Sequence, residues 1–265
     1  MKSSSFAKQL SKSMDDLEGS VGAFLKYQNA DSLHDLRTSI RRVESGFQLL
    51  PKSVRNGRRF QRYSSRVRDL FRATTPLRDI DTITSMLSEQ EASNASVAEA
   101  ISAKTEQERD NLLVRARLCV KEFERAKPPK VKNSWTQSDR IERRKSKLVR
   151  RLLKKMQEEL PHVLDRPNEL DKMHAFRKHC KDLRYALEYF EDENNEKEIE
   201  LAKLSREWQS LLGEVRDIDL TEQFVRENTL SRDLKELLGR LQLQRDAAFE
   251  SFLRSATTNE LAALA

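Results

Sequence analysis

"LHDLRTSIRRVESGFQLL", Leu33 to Leu50, has a counterpart 140 residues later in "MHAFRKHCKDLRYALEYF", Met173 to Phe190. In the first segment Leu33, Leu36, Ile40, Val43, Phe47 and Leu50 are spaced 3, 4, 3, 4 and 3. That is the stripe one face of an α-helix buries. Met173, Phe176, Cys180, Leu183, Leu187 and Phe190 occupy the matching positions. His34, Arg37 and Arg41 each follow a stripe position by one residue, and His174, Arg177 and Lys181 repeat the arrangement. On a helix turning about 100° per residue they form a cationic row beside the buried one. Arg42 falls nearer solvent, and the second copy adds Arg184 and Tyr185. Packing needs the apolar row; the basic row needs another reason.

A second echo pairs LRDIDTI (Leu77–Ile83) with VRDIDLT (Val215–Thr221) at an offset of 138, as two diverged copies with one small loop change would show. Only 6 Gly and 6 Pro punctuate the 265 residues, 35% of them charged and 37% hydrophobic. Long amphipathic helices suit that composition and a β-rich fold does not. Periodicity predicts helices over 6–29, 33–50, 54–73, 77–89 and 95–126, then near 138–160, 170–191, 196–212, 218–227 and 231–256. Asp31 or Ser32 is the expected N-cap of the first histidine helix, and Pro161 and Pro167 are expected to bracket the loop before the second. AKPPKVKNSW (Ala126–Trp135) lacks periodicity and reads as a linker. The expected class is all-α: two similar bundles, 1–126 and 138–265, joined by 127–137.

Charge is unevenly spread. From His34 to Arg78 there are twelve Lys or Arg against Asp35, Glu44 and Asp69, a surplus larger than the +7 of the whole chain. Arg55, Arg59, Arg62 and Arg66 keep helical spacing, and DRIERRKSKLVRRLLKK adds a third ridge with Arg140, Arg143 or Arg144, Lys147, Arg150 or Arg151, and Lys154. Like charges three or four apart destabilise an isolated helix by a few tenths of a kcal/mol per pair. A polyanion would offset that cost, because guanidinium forks bind phosphate oxygens in pairs and release counterions.

The other candidates take plainer readings. No metal-ligand spacing surrounds the histidines, and His162 and His179 are expected to be structural. Asp79 with Asp81, and Asp217 with Asp219, are expected to cap helix starts and pair with Arg78 and Arg216. Cys119 and Cys180 sit in apolar helical patterns and suggest a reducing compartment. The N-terminal stretch lacks an apolar signal core and no window has the length of a membrane span, so a cytoplasmic location without membrane association is expected. No phosphate loop, nucleophile elbow or helix-turn-helix is visible, and no enzyme is expected.

The paired histidine segments, followed in each half by LRDID and LLGEVRDID, resemble the CHAD (conserved histidine α-helical domain) family from about residue 5 to 256. The resemblance implies two four-helix-type bundles related by pseudo-twofold symmetry around a basic central channel. It implies non-catalytic binding of inorganic polyphosphate by a stand-alone module without a cofactor, and association with polyphosphate granules is compatible with it. Carried over, the ligand row is His34, Arg37 and Arg41 with His174, Arg177 and Lys181. The full candidate set adds Arg42, Arg59, Arg62, Arg66, Arg143, Lys147, Arg150, Lys178 and Arg184. Asp182 and Glu44 stand where the family often has arginine, and the acidic run Glu191–Glu200 is expected to face away from the anion. Whether the histidines touch phosphate or only orient arginines stays open. The alternatives are non-specific nucleic-acid binding, disfavoured by few aromatics for base stacking, and a metal-dependent phosphohydrolase using the Asp pairs.

Overall fold

Asn29 starts the helix that carries the first histidine segment. Its Oδ1 accepts the Ser32 N–H at 2.9 Å while its own N–H donates to Ser32 Oγ at 3.2 Å. This reciprocal capping box satisfies two donors that a helix start leaves unpaired. The expected caps, Asp31 or Ser32, therefore lie inside the first turn. Gln28 precedes the cap at φ 51°, the left-handed conformation in which a preceding helix ends.

The computed structural model describes residues 3–89, 95–135, 137–190, 195–228 and 234–258. The helices are α1 (Ser3–Tyr27), α2 (Ala30–Leu49), α3 (Lys52–Arg55), α4 (Arg58–Ser88), α5 (Ala95–Glu124), α6 (Ser138–Asp165), α7 (Leu170–Glu188), α8 (Glu196–Asn228) and α9 (Leu234–Thr258), with a 3-10 turn at Asn133–Trp135. No strand occurs among the described residues, so the chain is all-α. The first residues of the 231–256 helix and the last of the 170–191 helix, like residues 191–194 of the acidic run, fall outside the described residues.

Two compact units divide the chain: Met1–Asp81 with Gln107–Ser146, and Thr82–Glu106 with Lys147–Ala265. In the first, α1 packs on α2, and the rings of Phe47, Phe60, Tyr63 and Phe123 stack edgewise or tilted at centroid distances of 4.6 to 6.1 Å. In the second, α8 packs on α7 and α9. Phe176, Trp208 and Phe252 form a triangle with centroids 5.8 to 6.1 Å apart. Trp208 is fully buried and donates its indole N–H to Ser255 Oγ at 3.0 Å, whereas Trp135 of the 3-10 turn keeps partial exposure. Every stripe residue of both histidine segments is buried. Each such side chain contributes about 1.5–3 kcal/mol.

Three breaks expected from sequence are absent. α4 runs through Pro76, where the expectation was a stop at TTP. Proline removes a helix hydrogen bond and crowds the preceding turn. The helix persists there, and in the turn before the proline the Thr74 hydroxyl lies 2.9 Å from the Leu70 carbonyl and the Thr75 hydroxyl 2.8 Å from that of Phe71. α6 likewise continues through Pro161 to Asp165, and α8 is one helix where 196–212 and 218–227 were expected apart. His162 thus sits in the last turn of α6, not in a loop. Its Nε2 lies 2.7 Å from Glu169, which also accepts from Arg166 at 2.8 Å. Those bonds, Arg166's first, hold the Glu169 carboxyl down at about 2. His179 pairs with Glu159 at 2.8 Å.

The Asp pairs lie in the interiors of α4 and α8, so they cap no helix start. Asp81 Oδ1 accepts from Arg109 Nε at 2.7 Å, and Arg109 Nη2 reaches the Gln28 carbonyl at 2.8 Å. Asp219 Oδ1 accepts from Arg245 Nε at 2.6 Å, and Arg245 Nη2 reaches the Pro167 carbonyl at 2.8 Å. Each arginine clamps an aspartate to the turn before a histidine helix, using the same atoms. For Asp81 and Asp219 the bonded arginines are Arg109 and Arg245, where Arg78 and Arg216 were expected. The Arg245 and Asp219 side chains are only 6% and 9% exposed, while Arg109 is 26% exposed. Removing one member of a buried pair strands the other charge. Arg245→Ala is expected to lower unfolding free energy in urea by about 3–5 kcal/mol, and Arg109→Ala by less. A loss below about 1 kcal/mol for Arg245→Ala would show the clamp to be dispensable.

Candidate anion-binding site

In the first unit the cationic row of α2 is braced by α4. Arg37 Nη1 lies 3.2 Å from the Phe71 carbonyl, 3.2 Å from Thr74 Oγ1 and 3.0 Å from Thr75 Oγ1. Its guanidinium carbon is 4.3 Å from the Phe71 ring centroid, and that of Arg41 is 4.0 Å from the same ring. Such contacts hold a cation by the negative face of the ring, for about 0.5–2 kcal/mol each. Arg41 also lies 3.5 Å from Glu44, so the acidic departure from the family pattern balances a row member. His34 and Arg42 are exposed. On α4, Arg59 and Arg62 are exposed and make no ion pair among the described residues, whereas Arg66 pairs with Glu122 at 3.1 Å.

The second unit contains a cleft of about 260 Å³ lined by Leu170, Asp171, Met173, His174, Arg177, Leu212, Arg216, Asp219 and Gln223. The first turns of α7 supply one wall and one face of α8 the other. Arg177 lies along Gly213, where an added Cβ would stand 3.2 Å from its Nη2 and 3.5 Å from its Nε. The bare backbone of Gly213 gives the guanidinium room to lie against the helix. The residue 138 positions earlier is Thr75, whose hydroxyl meets Arg37, so two different side chains support the two matched arginines. His174 is exposed at the mouth. Desolvation first, then the charges of Arg216, Arg177 and Lys178, lower its pKa against the opposing pull of Asp171. These effects favour the neutral imidazole.

The remaining candidates are scattered. Lys178, Arg143, Lys147 and Arg150 are exposed, and Lys181 is half-buried. Arg184 stacks on Tyr185 at 4.4 Å and lies 3.6 Å from Glu188, which also binds Arg206 at 2.6 Å. From sequence Arg216 was expected only as an ion-pair partner of Asp217 and Asp219, and Phe71 and Gly213 were not singled out. Reading α8 as one helix would have placed Arg216 on the cleft face, because Leu212, Arg216, Asp219 and Gln223 are spaced 4, 3 and 4. Asp81 and Asp219 each commit one carboxylate oxygen to arginine, which leaves a poor ligand set for a metal. Among the described residues no three His, Cys, Asp or Glu converge as a metal site would require.

Fold and site together define an all-helical domain built on two histidine-headed cationic helices. The family model of the CHAD domain matches residues 8–226, and the chain belongs to that family. The fold is similar to the crystal structure of the CHAD domain from the plant Ricinus communis, with a TM-score of 0.64 at 16% sequence identity over 99% of this chain and 89% of that one. No curated protein matches the sequence.

A bound polyanion should raise the His174 pKa, since phosphate charge would outweigh the arginine repulsion. Binding then takes up a proton and strengthens as pH falls through the interval between the free and bound values. NMR titration of the His174 ring with and without polyphosphate measures both. A His174 pKa unmoved at saturation would place the ligand away from this cleft.

Proposed function

We propose that the chain binds inorganic polyphosphate without turning it over, through Lys/Arg-lined surfaces that include the α2 row in one unit and the α7 row in the other. Membership of a family associated with polyphosphate-type ligands supports the reading. The observation that carries it is the convergence of His174, Arg177 and Arg216 on one cleft, matched in the first unit by Arg37 and Arg41 braced on Phe71. Braced guanidinium groups have lost their rotamer freedom before a ligand arrives, so less is lost on binding. Exposed Arg42, Arg59, Arg62, Arg143, Lys147, Arg150 and Lys178 would add long-range attraction. In this reading residues 1–126 and 138–265 are two copies of one plan, which the repeated clamp offsets favour. No helix among the described residues is long and apolar enough to cross a membrane, and we assign the protein to the cytoplasm.

Calorimetric titration with long-chain polyphosphate tests the reading. Affinity should fall linearly with salt on a double-logarithmic plot, one counterion set per phosphate contact. Replacing Arg37, Arg41, Arg177 and Lys181 together with Ala should weaken binding by at least about ten-fold while helicity is kept. Unchanged affinity would remove the two rows from the site. Nucleic acid is the alternative ligand, and competition separates the two: polyphosphate should displace RNA or DNA far better than the reverse.

A further inference from the structure

Three arginines outside both histidine rows converge in the first unit. Arg144, half-buried on α6, donates from Nη1 to the Leu49 carbonyl at the C-terminal end of α2, at 3.3 Å. Arg140 lies one turn earlier on the same face of α6, four residues away and so a neighbour on the helix surface. Arg55 closes α3, which begins three residues after Leu49, and its Nε is buried without a hydrogen-bond partner. None of the three makes an ion pair among the described residues. Burial first, then the charges of Arg140 and Arg55, pull the Arg144 pKa below the ordinary arginine value. Cations crowded together without a counter-charge behave this way.

A structural role at the end of α2 accounts for only part of this. A helix C-terminus carries roughly half a negative charge, and Arg144 already takes the Leu49 carbonyl. One arginine is explained and most of three positive charges remain unbalanced. A carboxylate brings a single charge and two oxygens. A phosphoryl dianion brings two charges and three terminal oxygens, enough for several guanidinium forks at once.

We propose that Arg55, Arg140 and Arg144 form a separate phosphoryl-binding site that takes a dianionic phosphate group, with pyrophosphate as its simplest probe. Leu49 lies eight residues beyond Arg41, the last member of the α2 row, about 12 Å along the helix at 1.5 Å per residue. The site is therefore distinct from the histidine row, and it stands whether or not that row holds polyphosphate. The phosphoryl group can come from a free small ligand or from a unit of a longer chain, and the test has an arm for each.

The experiment follows arginine Nε–H signals of the full chain by NMR, each assigned by its loss in Arg55→Gln, Arg140→Gln or Arg144→Gln. Pyrophosphate is expected to shift the Arg55 and Arg144 signals, both in the native chain and in the variant lacking Arg37, Arg41, Arg177 and Lys181. In that variant background, adding R140Q and R144Q should weaken pyrophosphate binding about ten-fold by calorimetry, with helicity unchanged. Movement with long-chain polyphosphate alone would identify a polymer unit as the occupant. Signals unmoved by either ligand at saturation would overturn the site. If the double replacement unfolds the chain, the native-chain spectra still decide. Polyphosphate failing to bind while pyrophosphate moves these signals would end the reading of the histidine rows and leave this site standing.

Discussion

Burial of the two apolar stripes sets the rotation of α2 and α7 about their own axes, and everything basic follows from that rotation. All twelve stripe side chains are buried. At about 1.5–3 kcal/mol for each, turning either helix to redirect its polar residues would cost far more than any surface charge returns. His34, Arg37 and Arg41, each one residue past a stripe position, are thereby held at the border of the packed face. The same constraint acts on His174, Arg177 and Lys181. Hydrophobic packing, not electrostatics, aims the cations.

Electrostatics then has to tolerate the result, and the two units do so by different local means. In the first, a single half-buried ring, Phe71, lies against two guanidinium groups, and a carbonyl and two hydroxyls take one nitrogen of Arg37. In the second, a glycine clears the space that Arg177 fills. The ring, hydroxyls and carbonyl around Arg37 and the bare backbone beside Arg177 help to fix these cations while carrying no net charge of their own. An ion pair would hold the side chain equally well and cancel the field that a polyanion needs. On the first row Glu44 lies 3.5 Å from Arg41 and offsets part of its charge.

The fold was legible because its signal is periodic. Spacings of 3 and 4 over long stretches placed almost every helix, and the offset of 140 marked α2 and α7 as counterparts. The misreadings came where one residue type allows two outcomes. Proline can end a helix or be carried inside one, as Pro76 and Pro161 are, and no local pattern separates the two outcomes. Asp81 and Asp219 were read as caps because aspartate favours helix starts; their actual partners, Arg109 and Arg245, lie 28 and 26 residues further on. The candidate rows were visible for the same reason as the fold. The site roles of Arg216, Phe71 and Gly213 were not, since they come from which helix faces which.

The chain's two tryptophans, Trp135 and Trp208, fall one in each compact unit and in unlike surroundings. Trp208 is sealed among Phe176 and Phe252, while Trp135 is partly solvated. Their emission should differ in colour, so intrinsic fluorescence carries a separate optical reporter for each half of the molecule. Whether the halves melt in one step or two is thus readable without adding any label.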